Sequence, residues 1–201
     1  MTENSFTRAI TIFQVHHGIL QTQQAIRLGI APRTLYQLRD SGIVSCESRG
    51  LYRLADMEIS AHHDLVQVAL RIPKAVICLI SALSFHELTT QIPHQVYVAL
   101  PMDAEKPRLE YPPIRLFWLS PKTYSAGIEE HRIEEFQLRI YSVEKTIADC
   151  LKFRNKVGLD VALEGLREYR KRPGFDIETL LKYARINHVE RVIKPYLEML
   201  G

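Results

Sequence analysis

Arg33, Thr34 and Gln37 lie close together in the segment "PRTLYQLRDS" (Pro32 to Ser41). At helical spacing they share one face, and such a face has the chemistry to read base edges. An arginine forks two hydrogen bonds onto a guanine, a glutamine does the same to an adenine, and a threonine hydroxyl serves either. Tyr36, Arg39, Arg49 and Arg53, with Thr22 and Gln23 upstream, carry donors suited to phosphate oxygens, which position a protein on a duplex without reading sequence. Charge supports this reading. Residues 1–55 hold six arginines, no lysine and three acidic residues, so the whole net charge of +3 lies in the first quarter of the chain. Arginine is the cation best shaped for forked contacts to phosphate and guanine.

Other chemistries find less material. Ser84, His86 and Glu87 in "SALSFHE" lack the Gly-x-Ser-x-Gly elbow that exposes a nucleophilic serine. The nine glycines are scattered singly, so no phosphate-cradling loop forms. Asp103, Glu105 and Lys106 sit in a proline-rich turn rather than on the paired strands of a nuclease centre. Cys46, Cys78 and Cys150 are too far apart for a zinc knuckle and are read as reduced, mostly buried thiols. His16-His17 and His62-His63 are adjacent pairs whose rings diverge on a helix. No catalytic residue, cofactor or metal ligand is therefore expected. Two basic runs, Lys152, Arg154 and Lys156, then Arg167, Arg170, Lys171 and Arg172, are solvated helix faces or a surface for a partner.

The elements that must hold the base-reading face are written in the local chemistry. Phe6, Ala9, Ile10, Phe13 and His17 predict a first helix ending at Gly18. A second starts after Leu20, with Thr22 as its cap and Ala25, Ile26 and Leu28 inside. Gly29 supplies a left-handed corner, and Pro32 occupies the first turn of a third helix, where a missing N–H costs nothing. That helix, Pro32 to Ser41, points Leu35 and Leu38 inward, leaves Arg33, Thr34, Tyr36, Gln37 and Arg39 outside, and stops at Gly42. "IVSCESRGLYRL" then reads as strand, turn and strand, with Arg49 at the tip and Arg53 along it. A helix-turn-helix followed by a hairpin is the winged arrangement, whose third helix enters the major groove.

Beyond a connector at Ala55 to Ser60, a helix is expected over Ala61 to Arg71, with Leu65, Val68, Ala69 and Ile72 inside. "AVICLI" reads as a buried strand, "SALSFHEL" as a helix capped by Ser81, and "QVYVALP", "IRLFWLS" and "FQLRIYS" as three more strands. From Ser142, a natural helix cap, the pattern is helical in four segments broken at Gly158 and Pro173-Gly174. Leu159 and Ile177 lead the inner stripes of the second and third. The fourth opens at the capping-box-like "NHVE", keeps Leu200 as its last inner residue, and carries Pro195, which calls for a kink or two shorter helices. The expected fold class is α+β, a winged helix-turn-helix over 1–55 followed by a mixed α/β domain over 56–201. The apolar run Ala75 to Leu83 falls short of a membrane span, and "MTENSFTRAI" lacks the marks of a signal peptide, so a soluble cytoplasmic protein is expected.

Three stretches in order, "GLYRL", "ALRIPKAVICLISALSFHELTTQIPHQVYVALP" and "RIYSVEKTIADCLKFRNKVGLDVALEGLREY", resemble the AbiEi-type antitoxins of bacterial type IV toxin–antitoxin systems. The Ser-Ala-Leu-x-x-His run followed by the Val-x-x-Ala-Leu-Pro strand is the most specific part. The resemblance implies an N-terminal autorepressor that binds double-stranded DNA repeats upstream of its own operon. It also implies a C-terminal domain that counteracts a nucleotidyltransferase-like toxin, with or without direct contact. A transcriptional regulator whose second domain binds a ligand or dimerises is the alternative.

Overall fold

The computed structural model describes residues 2–48, 50–56, 61–133 and 136–199. They fall into two compact units, Met1–His63 and Asp64–Gly201. Both mix helices with sheet, so the fold class is α+β.

The first unit contains α1 (Thr2–Val15), β1 (Ile19–Gln21), α2 (Thr22–Arg27), α3 (Pro32–Asp40), β2 (Val44–Ser48) and β3 (Leu51–Leu54). Its three strands form an antiparallel sheet in the order β1-β3-β2. The apolar spacing anticipated from sequence closes the core. Ala9, Phe13, Ala25, Leu35 and Leu38 are buried together with Leu20, Val44 and Tyr52. Three details differ from expectation. Ile19–Gln21 pairs with β3 as a third strand, and Thr22 is the first residue of α2 rather than its cap, which is Gln21. Ile26 points outward, because α2 has fewer than two turns and Ala25 alone fills its contact with the core.

The second unit begins, apart from His63, with α4 (His63–Arg71), followed by β4 (Val76–Ile77), α5 (Leu79–Phe85), β5 (Val96–Pro101), β6 (Ile114–Leu119), α6 (Pro121–Ser125), β7 (Ile128–Ile133) and β8 (Phe136–Tyr141). Helices α7 (Val143–Lys152), α8 (Arg154–Val157), α9 (Leu159–Arg170), α10 (Ile177–Ile186) and α11 (Glu190–Met199) complete it. The mixed sheet runs β6-β5-β4-β8-β7, with β4 parallel to β8, β5 parallel to β6, and the other pairs antiparallel. Helix α7 is central: Ile147, Cys150 and Leu151 are fully buried within a core that also takes Leu83, Leu166, Leu180 and Ile193.

Several local expectations hold here and several are corrected. Ser142 caps α7, accepting the Lys145 N–H. "AVICLI" supplies only a two-residue strand before α5 begins at Leu79. Ser81 lies inside that helix, where its buried hydroxyl accepts the Tyr97 N–H of β5 instead of capping. In α4 the buried stripe is Val66, Gln67 and Val68, while Leu65 and Ala69 are only half-buried. Leu159 and Ile177, expected inside, are exposed first residues of their helices. "NHVE" is no capping box: Asn187 is the C-terminal cap of α10 and donates to Asp149. Pro195 lies within the single helix α11. Most of the expected connector (57–60) and the last inner residue, Leu200, lie outside the described residues.

Candidate nucleic-acid interface

The turn between α2 and α3 sets which face α3 leaves open. Gly29 has φ +91°, a conformation nearly closed to residues with a Cβ. Its N–H donates to Ile26 O, and the Ile30 N–H closes on Ala25 O, so the turn is held by backbone bonds at both steps. Pro32 starts α3 at its first turn. Leu35 and Leu38 are then wholly buried, and the rotation this imposes places Arg33, Tyr36 and Arg39 in solvent, with Thr34 and Gln37 half-exposed. Burial of two leucines, worth roughly 1.5–3 kcal/mol each, thus fixes which side chains α3 presents.

Within that face, the Arg39 guanidinium lies 5.3 Å from the Tyr36 ring centre and donates to Asp40 at 2.7 and 2.9 Å. Arg39 and Asp40 side chains are 44% and 65% exposed, so this pair is weak. Gln23 is exposed at the start of α2. Thr22 donates its N–H to Gly50 O at 2.9 Å, and its hydroxyl is 3.3 Å from the same oxygen. The start of α2 is thereby tied to the hairpin tip. Arg49, expected at that tip, lies outside the described residues.

Arg53, expected to reach outward along the hairpin, is drawn in against it. Its side chain is only 13% exposed, its Nε donates to Glu47 at 2.9 Å, and one terminal nitrogen donates to Leu54 O. Ser45 donates to the same Glu47 oxygen at 2.7 Å. Burial pushes the Glu47 carboxyl up, but the Ser45 and Arg53 bonds outweigh it and hold the group below its ordinary value. Arg53 therefore staples the two strands of the hairpin rather than reaching outward.

The second basic group is also sorted by the fold. Arg172 donates to the carbonyls of His86 and Glu87, which makes it an internal clamp. Arg154 donates to Leu151 O, and Lys152 is half-buried over Phe153, its ammonium pulled below its ordinary value by burial. Exposed positions remain at Lys156, Arg167, Arg170 and Lys171, of which Arg170 lies over the Phe175 ring and Lys171 pairs with Glu168.

With this geometry in view, comparison with known proteins is informative. Residues 8–55 match the family model of the AbiEi antitoxin transcriptional regulators. The AbiEi match spans α1 to the end of the hairpin and stops short of the second unit. The AbiEi regulators are by that description transcription factors, which bind DNA. In overall fold the chain is similar to the crystal structure of the RV2827C protein from Mycobacterium tuberculosis. That likeness covers 97% of this chain and 81% of that one, with a TM-score of 0.58 at 12% identity. No curated protein matches the sequence. Among the described residues, no helix is long and apolar enough to cross a membrane.

Two groupings in the second unit have no signal in the linear sequence. Lys145 and Asp149 are an ion pair buried to the last per cent, with Nζ 2.5 and 2.6 Å from the carboxylate oxygens and 4.2 Å from the Tyr141 ring centre. His86, Glu129 and His131 converge although 43 residues separate the first two. A helix face carrying Lys and Asp four apart reads as solvated, and only the packing of the second unit around α7 places this one inside.

Proposed function

We propose that the chain is an antitoxin and autorepressor, with DNA recognition in the first unit and antitoxicity in the second. The first unit, 1–55 in sequence, acts as a winged helix-turn-helix. In this reading α3 lies in the major groove, where Arg33, Thr34 and Gln37 meet base edges. Tyr36, Arg39, Gln23, Thr22 and Arg49 hold the flanking phosphates. The observation that carries the reading is the sidedness of α3: two buried leucines force every polar side chain between Arg33 and Arg39 onto the open face. The match of residues 8–55 to the AbiEi regulators supports it independently.

The finer assignments follow from the same reading. The DNA is a set of repeats upstream of the chain's own operon, bound in the cytoplasm. The second unit opposes a nucleotidyltransferase-like toxin, and the exposed cations Lys156, Arg167, Arg170 and Lys171 are its candidate contact surface. No step of catalysis is assigned to this chain.

Fluorescence anisotropy on the upstream DNA, against scrambled DNA and over a series of salt concentrations, tests the regulator. Preferential binding to the upstream repeats is the expected result. Equal, weak binding to both DNAs that fades with salt would reduce the arginines to a general electrostatic surface and remove the proposal.

A further inference from the structure

His86, Glu129 and His131 each bring one donor atom to within 4.8 Å of the others. Three features make this more than a chance meeting of polar side chains. The first is registry. Glu129 and His131 are two residues apart on β7, so the two-residue period of a strand puts them on one face. His86 caps the C-terminal end of α5 and meets that face. The second is orientation. His86 Nε2 lies 2.8 Å from Tyr141 O, and because a carbonyl only accepts, Nε2 carries the proton. Nδ1 is left as a lone pair, the arrangement in which metal-binding histidines are commonly held. The third is packing. Phe85 sets its ring edge-on against both imidazoles, with centres 5.3 Å from His86 and 4.9 Å from His131, which limits their rotation.

We propose that these three residues form a binding site for one divalent transition-metal ion of the zinc class. Two imidazoles and one carboxylate are ligands that zinc accepts, at about 2.0–2.2 Å, with a fourth position left for water or for a donor from another molecule. Glu129, 49% exposed, and His131, 29% exposed, have the freedom to close the last ångström or so onto the ion, whereas His86 is anchored. At present His131 Nε2 sits 3.1 Å from the Glu129 carboxylate, and a bound ion replaces that contact. The bound ion ties the edge strand β7 to the end of α5.

The test uses the full chain stripped of metal with a chelator and titrated with Co2+. Visible d–d absorption reports the bound ion, and Zn2+ is then added as competitor. One saturable equivalent per chain, displaced by Zn2+, is expected. Glu129→Gln and His131→Asn should each weaken that equivalent at least about tenfold, while His94→Gln, at an exposed site elsewhere, leaves it unchanged. Circular dichroism checks the fold of each variant. Should His131→Asn fail to fold, Glu129→Gln decides alone, since its side chain faces solvent. Absence of a saturable equivalent, or wild-type affinity in folded Glu129→Gln, overturns the proposal.

Discussion

Gly29 shows how a single residue sets the geometry of the interface. At φ +91° a side chain is strained whatever room it finds, and the nearest atom to an added Cβ, Arg8 Nη2 at 3.5 Å, would not clash. The cost of Gly29→Val therefore lies in the backbone, about 1–3 kcal/mol, rather than in collision. Urea unfolding of the first unit should show that loss, and DNA affinity should fall with it as α3 shifts. Retained stability together with wild-type affinity would remove the turn from the account. Arg33 and Arg53 carry the same charge in the same unit, yet the first is exposed and the second is closed onto Glu47. The type of residue tells what it can bind, and its neighbours tell whether it is available.

At the scale of elements, the hairpin and the α5–α9 contact make opposite kinds of demand. The Glu47 carboxyl is held below its ordinary value of 4.5 by Ser45 and Arg53 against the opposing effect of burial. Its bonds therefore stabilise the folded state above pH 4.5, and that contribution is lost as pH falls through the lowered value. Thermal melts followed by circular dichroism between about pH 3 and 6 should show wild type losing stability toward acid more steeply than Glu47→Gln. Parallel profiles would mean the carboxylate contributes nothing to the fold. Helices α5 and α9 instead approach through the absence of a side chain. A Cβ on Gly165 would stand 2.8 Å from Leu83 Cδ2, and Leu83 is itself fully buried. Gly165→Val should destabilise the second unit by about 1–3 kcal/mol through overpacking, read as a lower urea midpoint of the Trp118 signal. An unchanged midpoint would show that α9 moves aside freely.

For the whole molecule, the division into Met1–His63 and Asp64–Gly201 suggests functions that can be separated by mutation. Arg33→Ala should cost about 1–3 kcal/mol of DNA binding and relax the preference at one base position. In cells it should derepress a reporter driven by the upstream repeats while still rescuing growth from the toxin. Loss of rescue along with repression would mean that antitoxicity works through DNA binding, and the assignment of separate roles would fail. A uniform loss across all DNA sequences would move Arg33 from base reading to phosphate contact.

What the sequence by itself determined is what a few adjacent residues can decide. Gly29 and Pro32 dictate a corner through backbone sterics, Leu35 and Leu38 orient α3 through their spacing, and Ser142 caps α7 through its own hydroxyl. The open face of α3 was legible because it is the complement of a local apolar stripe. Tertiary structure alone decided whatever depends on partners distant in the chain. β7, "IEEHRI", has the polar surface of an edge strand and becomes a strand by pairing with β8. Lys145 and Asp149 are buried in the core around α7, where Asn187 at the end of α10 donates to Asp149, and Arg172 is withdrawn by carbonyls 85 and 86 residues away. His86, Glu129 and His131 become neighbours only when α5 and β7 are packed in one unit. The physical reason is that periodicity and backbone conformation act over a turn or two of chain, whereas desolvation and side-chain pairing are settled by whatever the fold brings alongside.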